Sequence, residues 1–385
     1  MSQDRRSFVK LLAALAASPA IANATYVMPS SQKVSSPSFS GNILVSAFDD
    51  LKGQHYVGAY DLSAKTWLER VAVSRRYHSG VARFDGAGVV SQQLVFVARR
   101  PGNLAVVLDL TKRQVIELTA AEGRHFFGHA AVDADNRVWF TENDYVNGRS
   151  LLVARSGSRL ETVDAEIDLQ GIGPHEFRFL KDGRTAVIGL GGIETHPDFP
   201  RKKLNLDTMQ SEILLVDTKA QQIIDRDKPL DPQLSLRHLD VAAVRDQVVI
   251  AAQYQGPKYE QFPLVYHYQV DQGLKPFDAP ESVWQSMNQY IASVQINEDG
   301  SEVLVTCPRS NLVHLFSLTQ GKWLSQFKLP DPGGACTDDL GRYLVSTGTG
   351  QIVCLSSNNG VLTLERDELV SDTRWDNHMD RVVVS

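Results

Sequence analysis

The feature that most constrains this chain is a repeat. Seven strand-like runs each follow a turn: His78 (HSGVARF), His129 (HAAVDADNRVWF), His175 (HEFRFLKDG), His238 (HLDVAAV), near Ala292 (IASVQINEDG), Ala335 (ACTDDLG) and His378 (HMDRVVV). Their intervals are 51, 46, 63, 54, 43 and 43 residues, the period of a four-stranded propeller blade. Five of the seven runs open with histidine. The first strand of a propeller blade lines the central channel, so equivalent positions on it converge on one axis. The blades are numbered here from 1 at His78 to 7 at His378.

Within a period, β-branched and aromatic runs alternate with Gly, Asp, Asn and Pro turns, and no helical periodicity of useful length appears after residue 25. Blade 3 reads HEFRFLKDG, TAVIGLGG, SEILLVDT and QIIDRDK as four strands, and blades 2, 5 and 6 read likewise. NILVSAF, YVGAYDL and TWLERVAV, before blade 1, lack an inner strand, whereas HMDRVVV at the C-terminus lacks its other three. The expected fold is an all-β, seven-bladed β-propeller over residues 42–385. The N-terminal strands pair with the C-terminal inner strand, so no sheet edge stays open.

The start of the chain reads as an address. Asp4-Arg5-Arg6-Ser7-Phe8-Val9-Lys10 fits a twin-arginine export signal, followed by the apolar LLAALAASPAIA and a small-x-small site at Ala22-Asn23-Ala24. The apolar run is short for a membrane span, and no Cys follows it to carry a lipid. Residues 1–24 are therefore expected to be a signal peptide and 25–41 a flexible lead-in. The protein is expected in the periplasm, exported folded by the twin-arginine route, without a stable membrane anchor. Removing residues 1–24 moves the formal charge from −6 to −8. An acidic chain with scattered lysines has no footprint for nucleic acid. Cys307, Cys336 and Cys354 permit one disulfide, with Cys307 and Cys336 in neighbouring blades; three buried thiols are the alternative.

Function concentrates on one predicted face. Loops leading into inner strands and loops joining second to third strands open on the same side. The longest is GGIETHPDFPRKKLNLDTMQ, residues 191–210. Eight of the ten histidines fall on this face, all but His267 and His314. Imidazole binds Fe, Cu or Zn through a neutral nitrogen, and three or four such groups make a site. The candidate metal ligands are His78, His129, His175, His238, His378, His125 and His196. Glu176, Asp240 and Asp376 are nearby carboxylates, as ligands or as acceptors orienting the rings. Arg124, Arg178, Arg201 and Arg237 near these loops suit an anion or pair with carboxylates.

A structural reading stands beside the metal one. WD-repeat propellers place a Gly-His dipeptide at this point, where the ring bonds within its own blade, and Gly128-His129 looks like it. Under that reading the repetition follows from blade architecture. No Ser-His-Asp signature, phosphate loop or haem-attachment motif is present. That tilts the balance towards a binding protein over a hydrolase or lactonase using a divalent cation, for which His175 or Glu176 would be the base. A protein-docking scaffold is the third reading.

The strings RHFFGH, TEND, GPHEF, GGIETHPD, LNLDTM, RHL and WDNH, spread over residues 124–378, resemble the bacterial family called domain of unknown function 1513. The resemblance implies a twin-arginine-exported propeller of the broad WD-repeat/YVTN kind. It also implies company with periplasmic iron-acquisition proteins, imelysin-like and di-haem, but no reaction and no catalytic residue.

Overall fold

A computed structural model describes residues 23–27, 41–83, 93–199, 202–242 and 244–384. In it the repeat becomes seven antiparallel sheets, one per period. Blade 3 is representative: Pro174–Phe179 lies innermost, followed outward by Thr185–Leu190, Glu212–Asp217 and Gln222–Asp227. Exposure follows position. The second strand of blade 4, Val248–Tyr254, is buried throughout, because neighbouring blades cover both of its faces. Gln222–Asp227, at the rim, alternates between half-buried and exposed positions. Unbroken apolar runs such as VVIAA and alternating runs such as QIIDRD are the sequence marks of those two situations.

The core is therefore a set of seams between blades. Val187 and Leu215 of blade 3 pack on Leu236 and Ile250 of blade 4, for example. At the bottom face, Asp133 accepts the backbone N–H groups of Asp135 and Arg137 and the indole N–H of Trp139, tying the turn to the core. Asp338 does the same for Leu340 and Arg342 in blade 6.

The ring closes as the sequence predicts. Arg374–Val384 is the inner strand of blade 7 and pairs with Gly41–Asp49, followed by His55–Asp61 and Thr66–Val73. Two details differ from expectation. Asn23–Val27 is a strand, pairing with Gln114–Thr119 as a fifth strand of blade 1. Residues 25–27 are thus strand and not lead-in, since NATYV carries β-formers that satisfy an otherwise open edge. The twin-arginine motif and residues 28–40 lie outside the described residues. A short helix, Glu281–Ser286, precedes blade 5 and buries Val283 and Trp284. Among the described residues no helix is long and apolar enough to cross a membrane. Cys307, Cys336 and Cys354 are free thiols, all buried.

Candidate metal centre

Each histidine of the repeat sits where its inner strand slips register. Between Tyr77 and Gly80 the strand carries one residue more than its partner, and His78 lies in that bulge. His129 lies in the shift between Phe126 and Ala130, His175 between Pro174 and Phe177, His238 between Leu236 and Leu239, and His378 between Trp375 and Met379. A bulge breaks the strict in–out alternation and re-aims a side chain. Hydroxyls hold some of these bulges in place: Ser46 Oγ donates to the His378 carbonyl at 2.6 Å, and Thr141 Oγ1 to that of His175 at 3.2 Å. Blade 6 has the same bulge with Gly333 and Gly334, where a Cβ would strike the backbone at Asp376 and Met379. Blade 5 has none.

The five rings meet. Centroids are 4.7 Å apart for His78 and His378, 4.8 Å for His129 and His378, 4.7 Å for His129 and His175, 4.9 Å for His175 and His238, and 4.8 Å for His238 and His378. His129, His238 and His378 each offer a ring nitrogen, all within 4.8 Å of one another. Nitrogens around a tetrahedral ion at 2.0–2.1 Å stand about 3.4 Å apart, so modest ring rotation would complete the grip. His129 Nε2, His175 Nδ1 and His378 Nε2 are buried without a hydrogen-bond partner.

Electrostatics keep the rings neutral. Burial first, then the mutual repulsion of the imidazoles, holds His129 and His378 well below the usual histidine range, and His175 likewise. His78 is lowered to about 4 by burial and by the neighbouring Arg99, against the pull of Asp376. Two carboxylates orient the outer rings. Glu176 Oε2 lies 3.2 Å from His238 Nδ1, and Asp376 Oδ2 lies 3.3 Å from His78 Nδ1. Both mates come from a neighbouring blade, and each occupies only one ring nitrogen. That is not the within-blade pairing a structural Gly-His role requires. Glu176 also faces Arg178 at 2.9 Å, and its carboxyl stays below the ordinary glutamate range. So paired, it is a poor general base.

Other expected residues lie elsewhere. His125 is buried apart from the ring, its Nδ1 2.9 Å from the Phe126 carbonyl and its Nε2 3.1 Å from Asn143 Nδ2. His196 packs on Tyr145 at 5.0 Å and accepts the Asp198 N–H in a tight turn. Neither is among the five converging rings. Consecutive strand residues rise about 3.3 Å each, so a four-residue spacing that suits a helix separates two rings on a strand. Asp240 accepts from Gln295 and the Ile296 N–H instead of a histidine. Arg124 is paired with Glu166, and Arg201 lies outside the described residues. Missed by sequence reasoning was Arg99, which bridges Asp376 and His78. Arg99 also lines a cleft of about 660 Å³, together with Asp49, His55, Trp375 and Asn377.

Comparison with known proteins adds a family and a fold. The family model described as protein of unknown function, DUF1513, matches residues 71–382. No curated protein matches the chain. Among solved structures, Kuenenia stuttgartiensis hydrazine synthase aligns with a TM-score of 0.61 at 12% identity, covering 89% of this chain and 99% of that one. A putative 6-phosphogluconolactonase from Bacteroides fragilis aligns at 0.57 and 14%, covering 92% and 99%. Apo AztD from Citrobacter koseri aligns at 0.52 and 10%, covering 89% and 98%. Identities this low establish the propeller alone.

Proposed function

The chain belongs to the DUF1513 family, whose description names no activity, and from that premise we propose that it is a transition-metal-binding propeller. His129, His238 and His378 would hold the ion, with His175 beside them and His78 at the edge of the group. The observation that carries this reading is the set of partnerless buried nitrogens on His129, His175 and His378. An unmet buried polar atom costs about 1–3 kcal/mol, and three on one cluster call for a shared acceptor of their lone pairs. A bound ion supplies that acceptor. The rings are already neutral, so no proton has to leave before they bind. Glu176 fixes the tautomer and aim of His238, as carboxylates do behind metal-bound imidazoles. An all-imidazole set suits Zn, Cu or Fe.

The compartment and company belong to the same proposal. The twin-arginine motif at Arg5-Arg6 supports export of the folded protein to the periplasm. The implied partners are the imelysin-like and di-haem proteins of iron acquisition. The protein would bind or hand on metal beside them.

The test is direct. Protein stripped of metal and titrated with Zn, Cu and Fe should take up one ion per chain by calorimetry and elemental analysis. His129→Ala, His238→Ala and His378→Ala should each lose more affinity than the ~10–100-fold typical of an outer hydrogen-bond partner, with the far-UV spectrum unchanged. A folded wild-type protein that takes up none of these ions at micromolar concentration would remove the proposal.

A further inference from the structure

Three side-chain atoms meet at the outer edge of the histidine group. Arg99 Nε stands 3.3 Å from His78 Nδ1 and 3.2 Å from Asp376 Oδ2, and those two atoms are 3.3 Å apart. His78 lies on the inner strand of blade 1, Arg99 just after its second strand, and Asp376 on the inner strand of blade 7. The triangle therefore forms only where the ring closes.

Its two mates ask opposite things of one imidazole. An arginine N–H only donates, so the ring nitrogen that receives it carries no hydrogen. The proton of His78 then sits on Nε2, and no lone pair is left for an ion. A carboxylate only accepts, so Asp376 favours a proton on Nδ1. That arrangement leaves Nε2 bare, the form in which carboxylate-backed imidazoles bind metal. With Arg99 in place, a hydrogen on Nδ1 would face the guanidinium N–H, donor against donor. His238 shows the contrast. Its Nδ1 is 3.2 Å from Glu176 Oε2, while Arg178 binds the other oxygen, Oε1, at 2.9 Å. His238 belongs to the group of three whose nitrogens lie within 4.8 Å of one another, and His78 does not.

We propose that Arg99 latches His78 out of the metal set, and that His78 becomes a ligand when Arg99 withdraws and Asp376 takes over Nδ1. Arg99 is thus a positioning residue, and the inference rests on the metal reading, to which it adds a control. The move is short. Arg99 Nη2 also donates to Asp376 Oδ1, so Nε can leave the ring without the ion pair parting. The Arg99 side chain is 29% exposed and lines the cleft of about 660 Å³, whereas Asp376 is 8% exposed and stays fixed behind the ring. As the ion arrives, the proton leaves Nε2 and the ring takes one up at Nδ1, with no net release. Breaking the Arg99 contact lowers the affinity of wild type relative to a protein without the guanidinium.

Nitrogen-15 NMR of the wild-type imidazoles tests the latch without any substitution. Metal-free protein should show His78 protonated on Nε2, and protein loaded with Zn should show it protonated on Nδ1. A proton on Nδ1 before Zn is added, or on Nε2 after loading, would overturn the latch. Arg99→Met should raise Zn affinity about tenfold, the lower end of what an outer hydrogen-bond partner controls. Adding His78→Ala should then cost more affinity than the same change costs in wild type. Unchanged affinity in Arg99→Met, or equal costs in the two backgrounds, would also sink the idea. Should Arg99→Met fail to fold, the NMR measurement decides alone. A wild type that takes up no Zn, Cu or Fe removes the metal reading, whereas one that loads without the tautomer change removes the latch only.

Discussion

At the scale of single residues, what distinguishes one buried histidine from another is what surrounds it. His314, on the third strand of blade 5, is fully buried, and neither ring nitrogen has a partner. Unlike the ring histidines it faces no second imidazole, so its orphaned atoms are a cost and not a site. Burial alone lowers it to about 4. In the unfolded chain the same ring titrates near 6.5. Between these values the unfolded state binds the extra proton, so stability falls as pH drops from about 6.5 to about 4, by about 1.4 kcal/mol per unit. His314→Leu should remove that slope and leave neutral-pH stability equal or higher, as urea denaturation at pH 7 and pH 5 would measure. Equal pH dependence in the two proteins would contradict the assignment. The sequence left His314, which lies on the third strand of blade 5, Leu312–Ser317, off the histidine-rich face. It also placed the five repeat histidines on one face, because their equivalent positions in the period were visible. His125 and His196 were assigned to the same site by loop position alone, and loop position does not say where a ring points.

At the scale of elements, the bulge decides the site. A regular inner strand would alternate its side chains, and a one-residue slip would turn a histidine from the axis towards the sheet. The slips at His78, His129, His175, His238 and His378 depend on how each strand pairs with the next, which residue types alone do not reveal. One sequence signal was available. Gly128 has φ +99°, and a Cβ there would stand 2.6 Å from His78 Cδ2. The Gly-His pair that resembles a WD-repeat dipeptide thus makes room for the histidine of the preceding blade. Gly128→Ala should cost about 1–3 kcal/mol through backbone strain and also weaken metal uptake by displacing His78. Gly148→Ala, at φ +65° with open space around it, should carry the backbone strain without loss of metal. Equal metal uptake by Gly128→Ala and wild type would show that His78 is not held this way.

At the scale of the whole molecule, closure holds both the fold and the site. Arg374–Val384 completes blade 7 and also brings Asp376 and His378 to the axis. A chain ending at Val370 would expose Gly41–Asp49 as an unpaired edge, strip the Phe48–Trp375 packing and open the ring. It should give aggregates without a folded monomer by size-exclusion chromatography and near-UV circular dichroism, and a native-like monomer would refute the closure argument. Seven blades, their order and their closure were determined by the sequence alone. Burying strand faces and pairing strand edges are requirements written locally, as period-two alternation and turn residues at a steady interval. The period already pointed five histidines at one axis, but which of their rings touch, and the carboxylates that aim two of them, were decided only by tertiary structure. Those neighbours come from different blades, and their contacts depend on bulge register and ring closure, which join residues as distant as His78 and His378 without leaving a mark on either segment.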